Sequence, residues 1–261
     1  MLKEKRHIMD TVAILIDGGF YTRRAQNLWG PRDAKESAKI LHEYACAHLY
    51  HRDGLNRSDR ASKVYRPGKV RDHLYRIFYY DCPPMDKNVY HPLLKKDKAL
   101  KKEPMYSWMT EFQNELRSKR KVALRLGRLS DNDIGYTLPM DTVKKLCAGK
   151  LTIDDLKESD FRLNVRQKGV DMRIGIDIAS MAYKKQVTKI ILIAGDSDFV
   201  PAAKLARREG IDFVLDPMGN SLPADLNEHI DGIMTPKFTP YKVQNIDATA
   251  VPRPRAVRPS K

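Results

Sequence analysis

The sequence predicts an α/β protein, a three-layer sandwich built on a mostly parallel central sheet. Three observations carry that expectation. The runs TVAILI (11–16) and KIILIA (189–194) are almost wholly aliphatic, as strands covered on both faces are. Helix-length segments near 34–50, 105–120, 170–185, 198–209 and 222–230 separate such runs, and strand alternating with helix builds a parallel sheet. Both aliphatic runs also end on acids, Asp17 in one case and the pair Asp196 and Asp198 in the other. In open parallel sheets, ligands bind beyond that end of the strands.

Each further element has its own warrant. RIFYYD (76–81) and IDFVLD (211–216) are apolar enough for further strands, and KVALRLGRL (121–129) alternates as a half-exposed strand does. Ser197 or Asp198 can cap a helix over 199–209, which tolerates Pro201 in its first turn and closes at Gly210. Two stretches read as polar insertions, 51–72, punctuated by Gly and Pro, and 83–104, which carries Lys95, Lys96, Lys98, Lys101 and Lys102. The second is read either as a solvated basic loop or as an arm that touches phosphates. The domain therefore spans 10–236. The segment 240–261, with Arg253, Arg255, Arg258 and Lys261 and a single acid, Asp247, is expected to be a basic disordered tail.

Bulk composition narrows the partners. Across 261 residues, 48 Lys and Arg against 33 Asp and Glu leave a net charge of +15, which favours polyanions, nucleic acid first. Cys46, Cys82 and Cys147 are scattered and odd in number, so neither a zinc knuckle nor a disulfide framework is indicated and a reducing cytoplasm is expected. No run approaches the ~20 apolar residues of a membrane span, and the basic N-terminus leads into a run too short for a signal peptide.

The acids are the chemical centre of the sequence. If β-strands 11–16 and 189–194 are neighbours, Asp17, Asp196 and Asp198 crowd one sheet edge. Asp171 joins them: Asp171, Ile174, Ile178 and Met181 fall on one helical face, apolar except at its first position. Asp177 lies well off that stripe and is expected to face solvent. Asp216, before Pro217, is read as a turn residue. Bunched carboxylates cannot all ionise cheaply without a cation, and hard oxygen donors suit Mg²⁺ or Mn²⁺. The plainer readings are a helix cap for Asp198, a turn for Asp17 and a helix-dipole acid for Asp171.

The motifs ILIDGGF, QKGVDMRIGIDIASMA, KIILIAGDSDFVPAAKLARREG and SLPADLNEHIDGI, in that order, resemble the NYN domain in its LabA-like bacterial subgroup, a branch of the PIN-like metal-dependent nucleases. The resemblance covers about 12–235 and is weakest over the two insertions. It implies a Rossmann-like sheet, a Mg²⁺ or Mn²⁺ site, RNA as partner, and phosphodiester hydrolysis. By motif position it assigns Asp17, Asp171, Asp196 and Asp198 as catalytic and metal-binding residues. Phe20 stands where many relatives carry Asn.

Around those acids, Lys168 is the cation expected at the scissile phosphate, and Arg23 and Arg24 are expected at flanking phosphates. Phe20, Tyr21, Trp29 and Trp108 are candidates for stacking bases, although Tyr106 and Trp108 are read first as packing a helix on the sheet. A haloacid-dehalogenase-type phosphohydrolase needs a second acid where this chain has Gly19, and a toprim site wants Glu where it has Asp17. No P-loop motif is present. The alternative of another class is an RNA-binding regulatory protein that keeps the fold without catalysis.

Overall fold

Strand β1 (Thr11–Asp17) decides the layering. The computed structural model describes residues 9–50, 71–130, 134–221 and 224–240. Val12, Ile14 and Ile16 enter one buried cluster, while Ala13 and Leu15 enter another on the opposite face. A strand buried this way needs partners on both edges and helices over both faces. It has them. β1 pairs in parallel with β2 (His73–Asp81) on one edge and β10 (Lys189–Ile193) on the other.

The sheet grows outward from this pair of junctions. Beyond β2 lies β5 (Val122–Leu126); beyond β10 lie β11 (Asp212–Asp216) and β12 (Gly232–Ile233), and every pairing is parallel. Counting only these strands in chain order and reading from β5, the order is 3-2-1-4-5-6, that of a doubly wound Rossmann sheet. Its reversal point falls between β1 and β10. Helices α1 (Gly18–Trp29), α2 (Ala34–Ala47) and α3 (Pro104–Ser118) cover one face. The other is covered by α5 (Val170–Tyr183), α6 (Val200–Arg208) and the short α7 (Ala224–Glu228).

Three local differences from the sequence reading have physical causes. Helix α1 follows β1 with no loop, although Gly18-Gly19 reads as a turn; Asp17 caps it by accepting from the Phe20 amide at 3.1 Å. The run 121–129 is two strands, because Gly127 divides β5 from β6 (Arg128–Leu129), which pairs with β9 (Gln167–Lys168). A Cβ on Gly127 would lie 2.7 Å from the Lys168 carbonyl oxygen. Residues 83–104 are not an open loop but contain an antiparallel hairpin, β3 (Asn88–His91) and β4 (Lys96–Ala99).

Met85, Val89 and Leu100 bury that hairpin against Leu129, Leu163 and Val165, so its lysines decorate an anchored element. A second hairpin, β7 (Gly135–Thr137) with β8 (Arg162–Asn164), encloses α4 (Met140–Cys147). Of the stretch 51–72 only Arg71 and Asp72 are described, and the tail from 241 onward lies outside the described residues.

Asp216 is far more than a turn residue. Its buried carboxylate accepts from Tyr44 Oη at 2.5 Å, Thr235 Oγ1 at 2.6 Å, the Met218 amide at 2.8 Å and His48 Nε2 at 2.9 Å. His48 Nδ1 lies 3.0 Å from the Tyr44 carbonyl oxygen, so the ring is held between that oxygen and the carboxylate. Burial opposes the carboxylate charge, but the His48 hydrogen bond and charge, with the two hydroxyls, hold Asp216 below the usual carboxylate range.

Removing one partner leaves a charge buried alone, so His48→Ala is expected to cost about 3–5 kcal/mol in urea unfolding near neutral pH. A depressed folded pKa means that the Asp216 contribution is present above the unfolded carboxylate value of about 4 and is lost as pH falls below it. A variant with parental stability and parental acid sensitivity would contradict the buried pair.

Candidate active site

The carboxyl ends of β1, β2 and β10 bring the acids to one edge, on either side of the reversal point. Asp17 ends β1 opposite Tyr80 of β2, one residue short of Asp81. Its entry into α1 is forced by close packing. A Cβ on Gly18 would sit 2.5 Å from the Tyr79 ring and 2.7 Å from the Tyr80 carbonyl oxygen, so no larger residue fits there.

Across the reversal point, Gly195 leads from β10 into a 3₁₀ turn over Ser197–Phe199. Asp196, not Ser197 or Asp198, caps this turn, its Oδ1 accepting from the Asp198 amide at 3.2 Å. A Cβ on Gly195 would meet the Phe20 ring at 2.5 Å. Phe20 therefore supports the acidic turn from below; with Tyr21 it is buried, and both rings are withdrawn from solvent. Trp29 packs against Tyr44 and Phe238.

Asp171 arrives from the opposite face. Gly169 at φ 77° turns the chain out of β9 into α5, a left-handed conformation that favours glycine. Ile174, Ile178 and Met181 are buried as their helical spacing predicts, and Asp171 stands at the solvent end of the same stripe. Asp177 departs from expectation. It is half-buried, accepting from Tyr80 Oη at 2.8 Å and Arg125 Nε at 3.0 Å, because Arg125 lies across the Phe78 ring beside it.

The acids sense one another. Partial burial first, then the charges of Asp171 and Asp81, push Asp17 up to about 6, against the relief given by the Phe20 amide and Arg23. Desolvation, then Asp196 and Asp198, raises Asp171. Asp81, absent from the sequence-based candidates, belongs to this constellation. It is buried and raised by desolvation, despite accepting from the Cys82 amide at 2.7 Å, Gln167 Nε2 at 2.9 Å and Tyr79 Oη at 3.0 Å. RIFYYD ends on an acid just as TVAILI runs into Asp17, and that was the signal available.

The candidate cations are placed differently from one another. Lys168 is exposed on β9. Arg23 donates to the Gly19 carbonyl at 3.0 Å and lies close enough to Asp17 to lower its pKa. Arg24 instead donates to the Met218 carbonyl at 2.7 Å, beyond β11. Among the described residues no group of three or more His, Cys, Asp or Glu stands ready-made around a metal position. One oxygen each of Asp17 and Asp196 is committed to a backbone amide.

The family model for the NYN domain matches residues 55–222, most of the chain. The chain belongs to the NYN domain family. The six-stranded parallel sheet flanked by helices agrees with the PIN-like fold of NYN domains, a nuclease family. The matched span takes in Asp81, Asp171, Asp196 and Asp198, and Asp17 lies before it. No curated protein matches the chain. Among solved structures it is similar to a protein of unknown function from Vibrio parahaemolyticus, at 11% identity over 86% of this chain and 91% of that one, with a TM-score of 0.42. Among the described residues no helix is long and apolar enough to cross a membrane.

The raised Asp17 fixes the sign of a stability effect. A carboxyl that keeps its proton longer when folded makes stability fall as pH rises from about 4 to about 6. Asn retains the cap and discards the charge, so Asp17→Asn is expected to exceed the parent by roughly 2 kcal/mol at pH 7.5, with the gain vanishing near pH 4. Urea midpoints at the two pH values check this; parallel curves would contradict the raised Asp17 carboxyl.

Proposed function

We propose that this NYN domain is a metal-dependent ribonuclease that hydrolyses RNA phosphodiester bonds at Asp17, Asp171, Asp196 and Asp198. One observation carries the reading. Acids from β1, α5 and the turn after β10 lie toward the reversal point of the sheet, and burial first, then the charges of neighbouring acids, raises Asp17 and Asp171. Carboxylate oxygens are the donors Mg²⁺ and Mn²⁺ take, and the surplus negative charge is what a divalent cation relieves. The donor set fits the ion.

In this reading those four side chains hold the Mg²⁺ or Mn²⁺, with Asp81 behind them as a further source of negative charge. When bound, the ion supplies Lewis-acid polarisation of the phosphodiester and activation of the attacking water. The chain's own part is positioning. The caps on Phe20 and Asp198 fix one oxygen each of Asp17 and Asp196, leaving the second oxygen for the ion. Lys168 and Arg23 offer positive charge to the substrate's phosphates, and the surplus of 15 positive charges over the whole chain supplies affinity. The three cysteines are unpaired, in keeping with a cytoplasmic protein.

A second reading has its own observation. Since no group of acids among the described residues is gathered into a metal site, and Phe20 replaces the Asn of many relatives, an RNA-binding regulator that has lost catalysis accounts for the same fold. One experiment separates the two. Parent and Asp196→Asn proteins are given end-labelled single-stranded RNA with Mn²⁺, Mg²⁺ or EDTA. The expected result is metal-dependent cutting by the parent, reduced at least a hundredfold in the variant, with RNA binding kept within about threefold. Binding without cutting in both would establish the regulator.

Affinity should also fall with salt. For a single strand, log K is expected to decline with log salt at about −0.7 per phosphate contacted. A flat dependence would remove the phosphate contacts assigned to Lys168 and Arg23.

A further inference from the structure

Beside the acids, on the α1 and α3 side of the sheet, a cavity of about 100 Å³ opens between Gly18, Gly19, Asp81 and Gln167 at one end and Met105, Trp108 and Met109 on α3 at the other. Its walls are mainly apolar, yet they come from the sheet, two helices and β8, with Met85 and Leu100 from either side of the first hairpin. Of the clustered acids, Asp81 alone lines this space.

We infer that this cavity is a base-binding subsite: it takes one pyrimidine base of the RNA strand whose phosphodiester lies at the carboxylates. The inference rests on the ribonuclease reading for its substrate class, but its geometry is independent of catalysis. Three features select a base. First, the wall is made of flat rings and thioethers. Tyr79, Tyr106 and Trp108 line it with Met85, Met105 and Met109, surfaces suited to the face of an unpaired base. Trp108 is held for this by stacking on Phe112 at 5.0 Å and by donating its indole N–H to the Arg32 carbonyl at 2.9 Å.

Second, polar groups line part of the cavity, Thr22 and Gln26 from α1 and Asp81 with Gln167 beside the acids, so a bound base can keep a polar edge while its face is buried. Gln167 donates its amide nitrogen to Asp81 at 2.9 Å, which fixes the side-chain orientation. Its carbonyl oxygen is thereby turned toward Gly19, 3.9 Å from where a Cβ on that residue would lie. That oxygen can accept from a base N–H such as uracil N3 or cytosine N4.

Third, the size favours a single ring. At about 100 Å³ the space is smaller than the cavity of about 150 Å³ that houses benzene, so through its open side it takes part of one six-membered ring and leaves still more of a purine outside. A fatty or purely hydrophobic ligand would leave Asp81 and Gln167 facing hydrocarbon.

The test reads binding directly. Three of the protein's ten methionines line the cavity, so protein labelled with ¹³C at the methionine methyls is titrated with uridine, cytidine and adenosine 5′-monophosphates, ribose 5-phosphate and benzene. Met85→Leu, Met105→Leu and Met109→Leu assign the signals. The expected result is that both pyrimidine nucleotides shift these three methyls, that adenosine 5′-monophosphate binds at least about tenfold more weakly, and that ribose 5-phosphate leaves them unmoved. Leu163→Trp, which fills the cavity from β8, should abolish the shifts while the remaining methyl spectrum keeps the dispersion of a folded protein.

No shift, equal shifts with ribose 5-phosphate, equal affinity for the purine, or a response to benzene alone would each overturn the inference, the last assigning the cavity to an apolar ligand. The two readings fail separately. Pyrimidine shifts in a protein that never cuts RNA would sink the ribonuclease and leave the subsite standing. Metal-dependent cutting with silent methyls would do the reverse.

Discussion

The pairing of β1 with β10 is the constraint on which the rest depends. Residues Val12 to Ile16 lie opposite Lys189 to Ile193 in unbroken register, and neither strand offers a polar side chain between its ends. Two such strands can be buried only in the middle of a doubly covered sheet. Once there, their carboxyl ends diverge into different layers, one into α1 and the other toward α6. The gap this leaves is where Asp17 and Asp196 face each other's surroundings. At the opposite end Lys189 closes the same junction, reaching Asp10 at 2.7 Å, Asp212 at 3.2 Å and Asp72 at 3.8 Å. One end of the sheet thus neutralises its acids with a lysine, whereas the other leaves them in surplus.

Asp17 and Asp196 are structural acids as well as proposed ligands. Each caps a helical turn, which satisfies an amide that would otherwise lack a partner. That structural role does not compete with ion binding; it orients the carboxylate. Asp81 is treated differently. Three donors surround it and still fail to offset its burial, so it acts on Asp17 chiefly through charge. The plainer reading of Asp17 as a local backbone acid and its proposed place at a metal are therefore compatible with one geometry, and the same holds for the cap that Asp196 supplies.

What could be read from the chain divides by the range of the interaction. The parallel sheet, its central strands and the inward stripe of α5 follow from local hydrophobic pattern, and Ile174, Ile178 and Met181 are buried as that pattern requires. Helix α1 was hidden because its opening glycines read as a turn; only the packing of Gly18 on Tyr79 explains them. The 83–104 hairpin was hidden because its lysines outnumber the few apolar side chains that anchor it. Asp177 and Asp216 were misjudged for one reason. Their partners, Arg125 and Tyr80 for one and His48, Tyr44 and Thr235 for the other, come from distant segments that no periodicity links.

The same close packing joins chemistry to recognition. Tyr79 touches Gly18 with its ring, donates its hydroxyl to Asp81 and forms part of the cavity wall. Asp81 in turn holds Gln167, which lines the cavity with it. A base seated against these residues therefore lies within one side chain of the group whose charge raises Asp17. Neither end can be reshaped alone: a larger residue at position 18 would displace Tyr79, and with it the carboxyl of Asp81 and the amide that depends on it.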